Sequence, residues 1–282
     1  MLEDGVLGDS CAPSTFELLP AMDAFLRSPQ HRQPLAAGQT DLVTRCELSI
    51  ETLTELCTKT PSVGERVLKL AASPAYGSVV PIRSLEQAVL WLGMRPVSDL
   101  YLESIMHEFV FHAPGYEVLI GPIRYHSLAV AHIARQLTVR AKVKCESAFA
   151  AGILHEAALA VGVQAIAQVR GPVDGSEIKL APMLLAARSD LSNRLARAWK
   201  LPPDITIPIL QLQRRASPRD TQSAVLCLAD AVAAKIGRGL TALGEPDPKF
   251  EVIGRAAEVL GLLPNQVDAI AFEVDKMLLE MG

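Results

Sequence analysis

From Ser147 to Val169 the chain is built almost entirely of small and apolar residues, and it carries one imidazole and one carboxylate, His155 and Glu156, side by side. Such a run lacks the period-two alternation of a strand and reads as a helix. Its surface of Ala, Gly and Val lets neighbouring helices come close, so the pair is expected inside the protein. A carboxylate taken out of water costs several kcal/mol unless it is paired or bound to a metal. His155 and Glu156 therefore need a partner from elsewhere in the chain. Two candidates stand in apolar helices of their own: His126, and Asp230, which is the only charge between Asp220 and Lys235. Adjacent helical residues point about 100° apart, so His155 and Glu156 share a ligand only if it lies between their directions. The bland alternative is that these groups hydrogen-bond within a helical bundle and hold nothing.

The run could also be a membrane span. His155, Glu156, Gln164 and Gln168 interrupt it, and alanine is too weakly apolar to compensate, so a span is not expected. Half of the 282 residues are hydrophobic but only 5% are aromatic, a balance that favours packed helices over sheets. The formal charge of −4 is spread through the sequence with both signs mixed, and no basic face for nucleic acid stands out. The five cysteines have no metal-ligand spacing, which fits reduced thiols in a cytoplasmic protein.

Helices are expected at about 16–26, 50–59, 61–72, 85–92, 97–111, 122–142, 146–169, 182–200, 203–214, 218–236, 248–262 and 264–281. Ser49, Thr60 and Ser84 are the expected N-caps, Pro61 takes a first helical position, and Gly93 closes a helix. Residues 1–15 read as a flexible tail, 28–40 as a connection and 171–175 as a turn. Trp91 and Trp199 are expected as core or interdomain anchors. Arg214, Arg215 and Arg219 read as solvated surface, as do Arg140, Lys142 and Lys144 at a helix end.

Several blocks resemble the HDOD family, a helical signalling module related to HD-domain phosphohydrolases. They are Glu17–Met22, Arg66–Gly77 and Ile82–Gly93 in the first half. In the second half they are Tyr125–Ala131, Ala151–Glu156 and Val225–Ala233. The resemblance spans about residues 16–240 and implies an all-α, two-lobed helical bundle: an N-terminal lobe at 16–112 and an HD-like lobe at 113–282. By descent from enzymes in which two His and two Asp hold a divalent ion, it places the ligand positions at His126, His155, Glu156 and Asp230. Glu156 stands where the enzymes have Asp, and Ala157-Ala158-Leu159 stands where they commonly have Ile-Gly-Lys. The set is thus read as a vestigial or weak metal site, with no cofactor expected and a divalent metal as the exception.

The implied role is a bacterial, cytoplasmic regulatory module without catalysis. It would act through signalling protein partners or a small regulatory ligand, with no direct nucleic acid and no membrane. The alternatives are a metal-dependent phosphohydrolase acting on a nucleotide or cyclic dinucleotide, and a purely structural scaffold.

Overall fold

A computed structural model describes residues 15–28, 49–73, 76, 81–171, 177–246 and 250–281. The expected tail up to Ser14, the 28–40 connection beyond Ser28, most of the 171–175 turn, Cys11 and Cys46 lie outside these, and Thr15 already opens a helix. The described residues are helical, with no strand among them. In order the helices are α1 (Thr15–Arg27), α2 (Ile50–Lys59), α3 (Pro61–Ala71), α4 (Leu85–Leu92), α5 (Met94–Ile105), α6 (Glu117–Ala141), α7 (Ala148–Leu154), α8 (Ala157–Arg170), α9 (Ala181–Ala198), α10 (Pro203–Gln213), α11 (Thr221–Lys235), α12 (Phe250–Leu260) and α13 (Pro264–Met281).

Two of the three expected N-caps close with a side chain, while Thr60 precedes Pro61 at the start of α3 without a side-chain cap hydrogen bond. Ser49 Oγ accepts the Thr52 N–H at 3.2 Å and Ser84 Oγ accepts the Gln87 N–H at 3.2 Å. The Gln87 side chain turns back to the Arg83 N–H at 2.9 Å, one residue before the cap that a capping box would satisfy. Gly93 ends α4 at φ +82°, a conformation that a side chain would strain.

Two apolar cores form. The smaller one gathers α2, α3, α4 and one face of α5 around Leu53, Val67, Val89 and Tyr101. The larger one takes in α6 to α13, and α1 packs there too through Leu18 and Met22, although it precedes the smaller core in the chain. Helix α5 serves both. Val97, Tyr101 and Ile105 recur every fourth residue toward the smaller core, and Leu102 with Met106 turns toward the larger. Past Ile105 the helix widens into a π turn, Met106–Val110, closed by the Phe111 N–H on the Met106 carbonyl at 2.7 Å. Polar groups cross between the layers where α5 meets α3 and α6. The Arg66 guanidinium donates to Glu103 at 2.5 Å, His132 lies 3.3 Å from the same carboxylate, and Arg135 Nε donates to Asp99 at 2.8 Å.

Three expectations need correction. Helix α6 begins at Glu117, a turn and a half before Pro122. A proline costs one ladder hydrogen bond, and the buried Tyr116, Leu119, Ile120 and Ile123 hold the extra turn against the core. The long helix expected over 146–169 is two helices that break at His155-Glu156. This stretch is the one among the described residues long and apolar enough to cross a membrane, and it is buried inside the bundle instead. Trp91 is about half exposed, with its indole N–H on the Tyr76 carbonyl at 3.2 Å, whereas Trp199 is buried in the larger core as expected.

Candidate functional site

The break between α7 and α8 shapes the site. Glu156 has φ −111° and ψ 6°, outside helical values, so its side chain leaves the spiral that would carry it away from His155. The two heads converge, with His155 Nε2 3.5 Å from Glu156 Oε1. Gly152 lets this happen. A Cβ there would lie 2.5 Å from the Ala131 Cα, so α7 crosses α6 nearly backbone to backbone. This brings His155 against His126 on α6.

The chain thus unites the four residues expected from sequence. His126 Nε2 lies 3.0 Å from His155 Nε2 and 3.2 Å from Asp230 Oδ1. His126, His155 and Glu156 are buried, and the Asp230 side chain keeps 18% of its exposure. The mid-helix Asp230 therefore finds its partner across the bundle and does not face bulk solvent.

The remaining ring nitrogens fix the chemistry. His126 Nδ1 lies 2.7 Å from the Arg238 carbonyl, and His155 Nδ1 lies 2.6 Å from the Gly152 carbonyl. Carbonyls only accept, so both Nδ1 atoms carry hydrogen and donate. Each Nε2 then presents a lone pair unless the ring is also protonated there. Two lone pairs 3.0 Å apart, with Asp230 alongside, call for a positive charge between them. A proton shared from His126 to His155 and Asp230 meets that need. A divalent ion would meet it too, because His126, His155 and Glu156 offer ligand atoms within 4.8 Å of one another. The donor set fits a metal in kind; a metal bound there would supply Lewis acidity.

The sequence did not single out Arg188. From α9 its Nε donates to Glu156 Oε2 at 2.9 Å, and a terminal nitrogen closes on Glu156 Oε1. Its other terminal nitrogen pairs with Glu245, which Arg215 approaches at 3.8 Å. A signal was there to be read, since Arg188 falls on the inward stripe Leu184, Ala187, Leu191 and Leu195. Glu245 gave none, and Arg215, exposed as expected, lies beside it. Gln213 adds a hydrogen bond to the His155 carbonyl at 3.3 Å and another to Ser192 Oγ at 2.7 Å. A pocket of about 90 Å³ opens over Asp230, Arg188 and Glu245.

Burial pushes the His155 imidazole down to about 3, with the neighbouring His126 charge acting the same way. For Asp230 burial alone would raise the carboxyl. The hydrogen bond and charge of His126, with His155 and Arg188 behind them, outweigh it and hold the group below its ordinary range. Both groups in the folded chain bind protons less readily than in the unfolded one. The His155 contribution to stability is therefore expected to be full above pH about 6.5 and to fall as pH drops through the ordinary histidine range, by up to about 1.4 kcal/mol per pH unit. Urea unfolding at pH 7, 6 and 5, for wild type beside His155→Gln, would measure it. A wild-type slope no steeper than the variant's would remove His155 as the cause.

With this geometry in place, a model of the HDOD domain matches residues 35–214. The chain belongs to the HDOD domain family. Its fold also matches solved structures at low identity. An HDOD domain protein of unknown function from Geobacter sulfurreducens is 19% identical at a TM-score of 0.51, over 96% of this chain and 91% of that one. A candidate phosphohydrolase from Shewanella amazonensis SB2B is 21% identical at a TM-score of 0.59, over 92% and 93%. A candidate signal transduction protein from Marinobacter aquaeolei VT8 is 18% identical at a TM-score of 0.57, and this chain covers 57% of it. No curated protein matches the chain. The HDOD match ends at residue 214, so Asp230, Arg238 and Glu245 complete the site from beyond it.

Proposed function

We propose that this HDOD protein is a bacterial, cytoplasmic regulatory module of two lobes that works by binding and not by hydrolysis. The observation that carries this reading is the seat of Arg188. In a metal-dependent hydrolase the buried acid beside the histidine must be free to meet a cation from solution. Here Glu156 already meets a guanidinium from its own chain, and Glu245 fixes that guanidinium from the other side. One proton shared between the two histidines beside Asp230 would satisfy them. The charge of Glu156 is met internally, and an entering divalent ion would have to displace Arg188. The fold is shared with a candidate signal transduction protein and with a candidate phosphohydrolase.

The test is elemental analysis of the full chain, wild type beside Asp230→Asn, after expression with Mn, Fe, Zn and Mg supplied. The expected result is well under one metal per chain in both proteins. Near-stoichiometric metal in wild type, lost in Asp230→Asn, would sink the regulatory reading.

A second reading has a specific observation behind it: the convergence of His126, His155 and Glu156 that a divalent ion could use. It predicts turnover of a phosphate ester that disappears in His155→Ala.

A further inference from the structure

A second cavity, of about 1070 Å³, lies where α3, α5 with its π turn, α6 and α13 meet. It is distinct from the pocket over Asp230 and large enough for a drug-sized or nucleotide-sized ligand. Its wall concentrates positive charge in a chain that is acidic overall. Three arginines line it, and of these Arg66 is paired with Glu103. Arg124 and Arg238 have no carboxylate partner among the described residues, and the facing acid is Glu108, which is exposed.

Arg124 is already aimed. Its terminal nitrogen donates to His107 Nε2 at 3.1 Å, so that nitrogen bears the lone pair and the ring is neutral there. Burial and then the Arg124 charge push His107 below its ordinary range, in keeping with that arrangement. The π turn that ends α5 is what presents His107 to this cavity. The Arg124 guanidinium also lies 4.7 Å over the Tyr125 ring, which is 48% exposed. A fork of donors thus stacks on an aromatic ring in a cavity that Leu128, Ile153 and Leu278 also line.

The cavity also touches the buried site through one residue. Arg238 lines the cavity, while its carbonyl holds His126 Nδ1 at 2.7 Å. His126 itself follows Tyr125 directly on α6.

We propose that this cavity binds a small phosphorylated ligand with a flat ring, a nucleoside phosphate in chemistry. Arg124 and Arg238 take the phosphate, Tyr125 takes the ring, and occupancy reaches His126 through the Arg238 carbonyl. The proposal rests on the regulatory reading only for what occupancy means. Metal content tests that reading, and ligand binding tests this one.

The experiment titrates the full chain with fluorescent methylanthraniloyl-ATP and, separately, with inorganic pyrophosphate. Saturable binding of the nucleotide is expected, tighter than that of pyrophosphate. Arg124→Gln and Arg238→Gln should each weaken both probes roughly tenfold. Tyr125→Ala should weaken the nucleotide by about the same factor and leave pyrophosphate unchanged. Arg215→Gln, beside the smaller pocket, should change neither. Nitrogen-detected spectra of the His126 ring should shift on saturation. Where a Gln variant melts early, the Lys variant at that position keeps the charge, loses the fork, and should weaken binding by a smaller factor. Absence of saturable binding below about 1 mM would overturn the site. So would a loss confined to Arg215→Gln, which would move the ligand to the smaller pocket. An unchanged His126 ring on saturation would overturn the link.

Discussion

Arg188→Met is expected to cost about 3–5 kcal/mol of stability, the range for removing one partner of a buried ion pair. The reason is what stays behind. Glu156 is fully buried, and without Arg188 its nearest polar neighbour is His155, which is held neutral. An isolated carboxylate there must either remain charged in a poor solvent or take up a proton, and both options destabilise the fold near neutral pH. Glu245 is less affected because its side chain is 22% exposed and can hydrate. The double variant Glu156→Gln with Arg188→Met removes the orphaned charge and is expected to recover a good part of the loss. Guanidinium unfolding of the single and the double variant beside wild type measures both quantities. A loss under about 1 kcal/mol in the single variant would show that Arg188 is not the counter-ion that holds Glu156. The same substitution frees a metal-type ligand, so the surviving folded fraction of Arg188→Met is expected to take up Mn or Zn more readily than wild type.

The second large effect is expected at Gly152. A β-carbon there would fall 2.5 Å from Ala131 Cα and 2.8 Å from Ala131 N, and neither backbone atom can rotate aside as a side chain would. Gly152→Ala must therefore push α7 away from α6, at about 1–3 kcal/mol or more. Gly254 provides the control. It also lies in a helix, yet a Cβ there meets nothing within 4 Å, so Gly254→Ala should gain about 0.5–1 kcal/mol from helix propensity. Opposite signs for the same chemical change would show that close approach decides the matter at Gly152. Thermal melts of the two variants would show it directly. Equal effects at both positions would contradict the backbone contact. Because Gly152 also supplies the carbonyl that orients His155, its replacement should reduce the pH dependence that His155 contributes.

Much of this was written plainly in the chain, and the parts that were not have physical reasons. Helix positions followed from apolar spacing and from caps such as Ser49 and Ser84, whose chemistry is local. His126, His155, Glu156 and Asp230 could be grouped because each is a polar residue stranded in an apolar helix. The break at His155-Glu156 could not be read, because Ala, Leu and Val on both sides favour a continuous helix. Tertiary contact with α6, made possible at Gly152, selects the broken form. Arg188 was overlooked for the opposite reason. Arginine in a helix with charges on its outer face is ordinary, and only its register with Leu184 and Leu191 betrayed it. Arg238 contributes a carbonyl to the site, and a backbone atom leaves no mark on residue type.

His126 is gripped at both ring nitrogens by one stretch of chain, Asp230 within α11 and Arg238 just after its end. A ring so held cannot turn over while that segment stays in place. Its Nδ1 proton can reach water only when α11 lifts away from α6. The lifetime of that single proton against exchange is therefore a clock for the opening of this seam, and it runs without any label or added ligand.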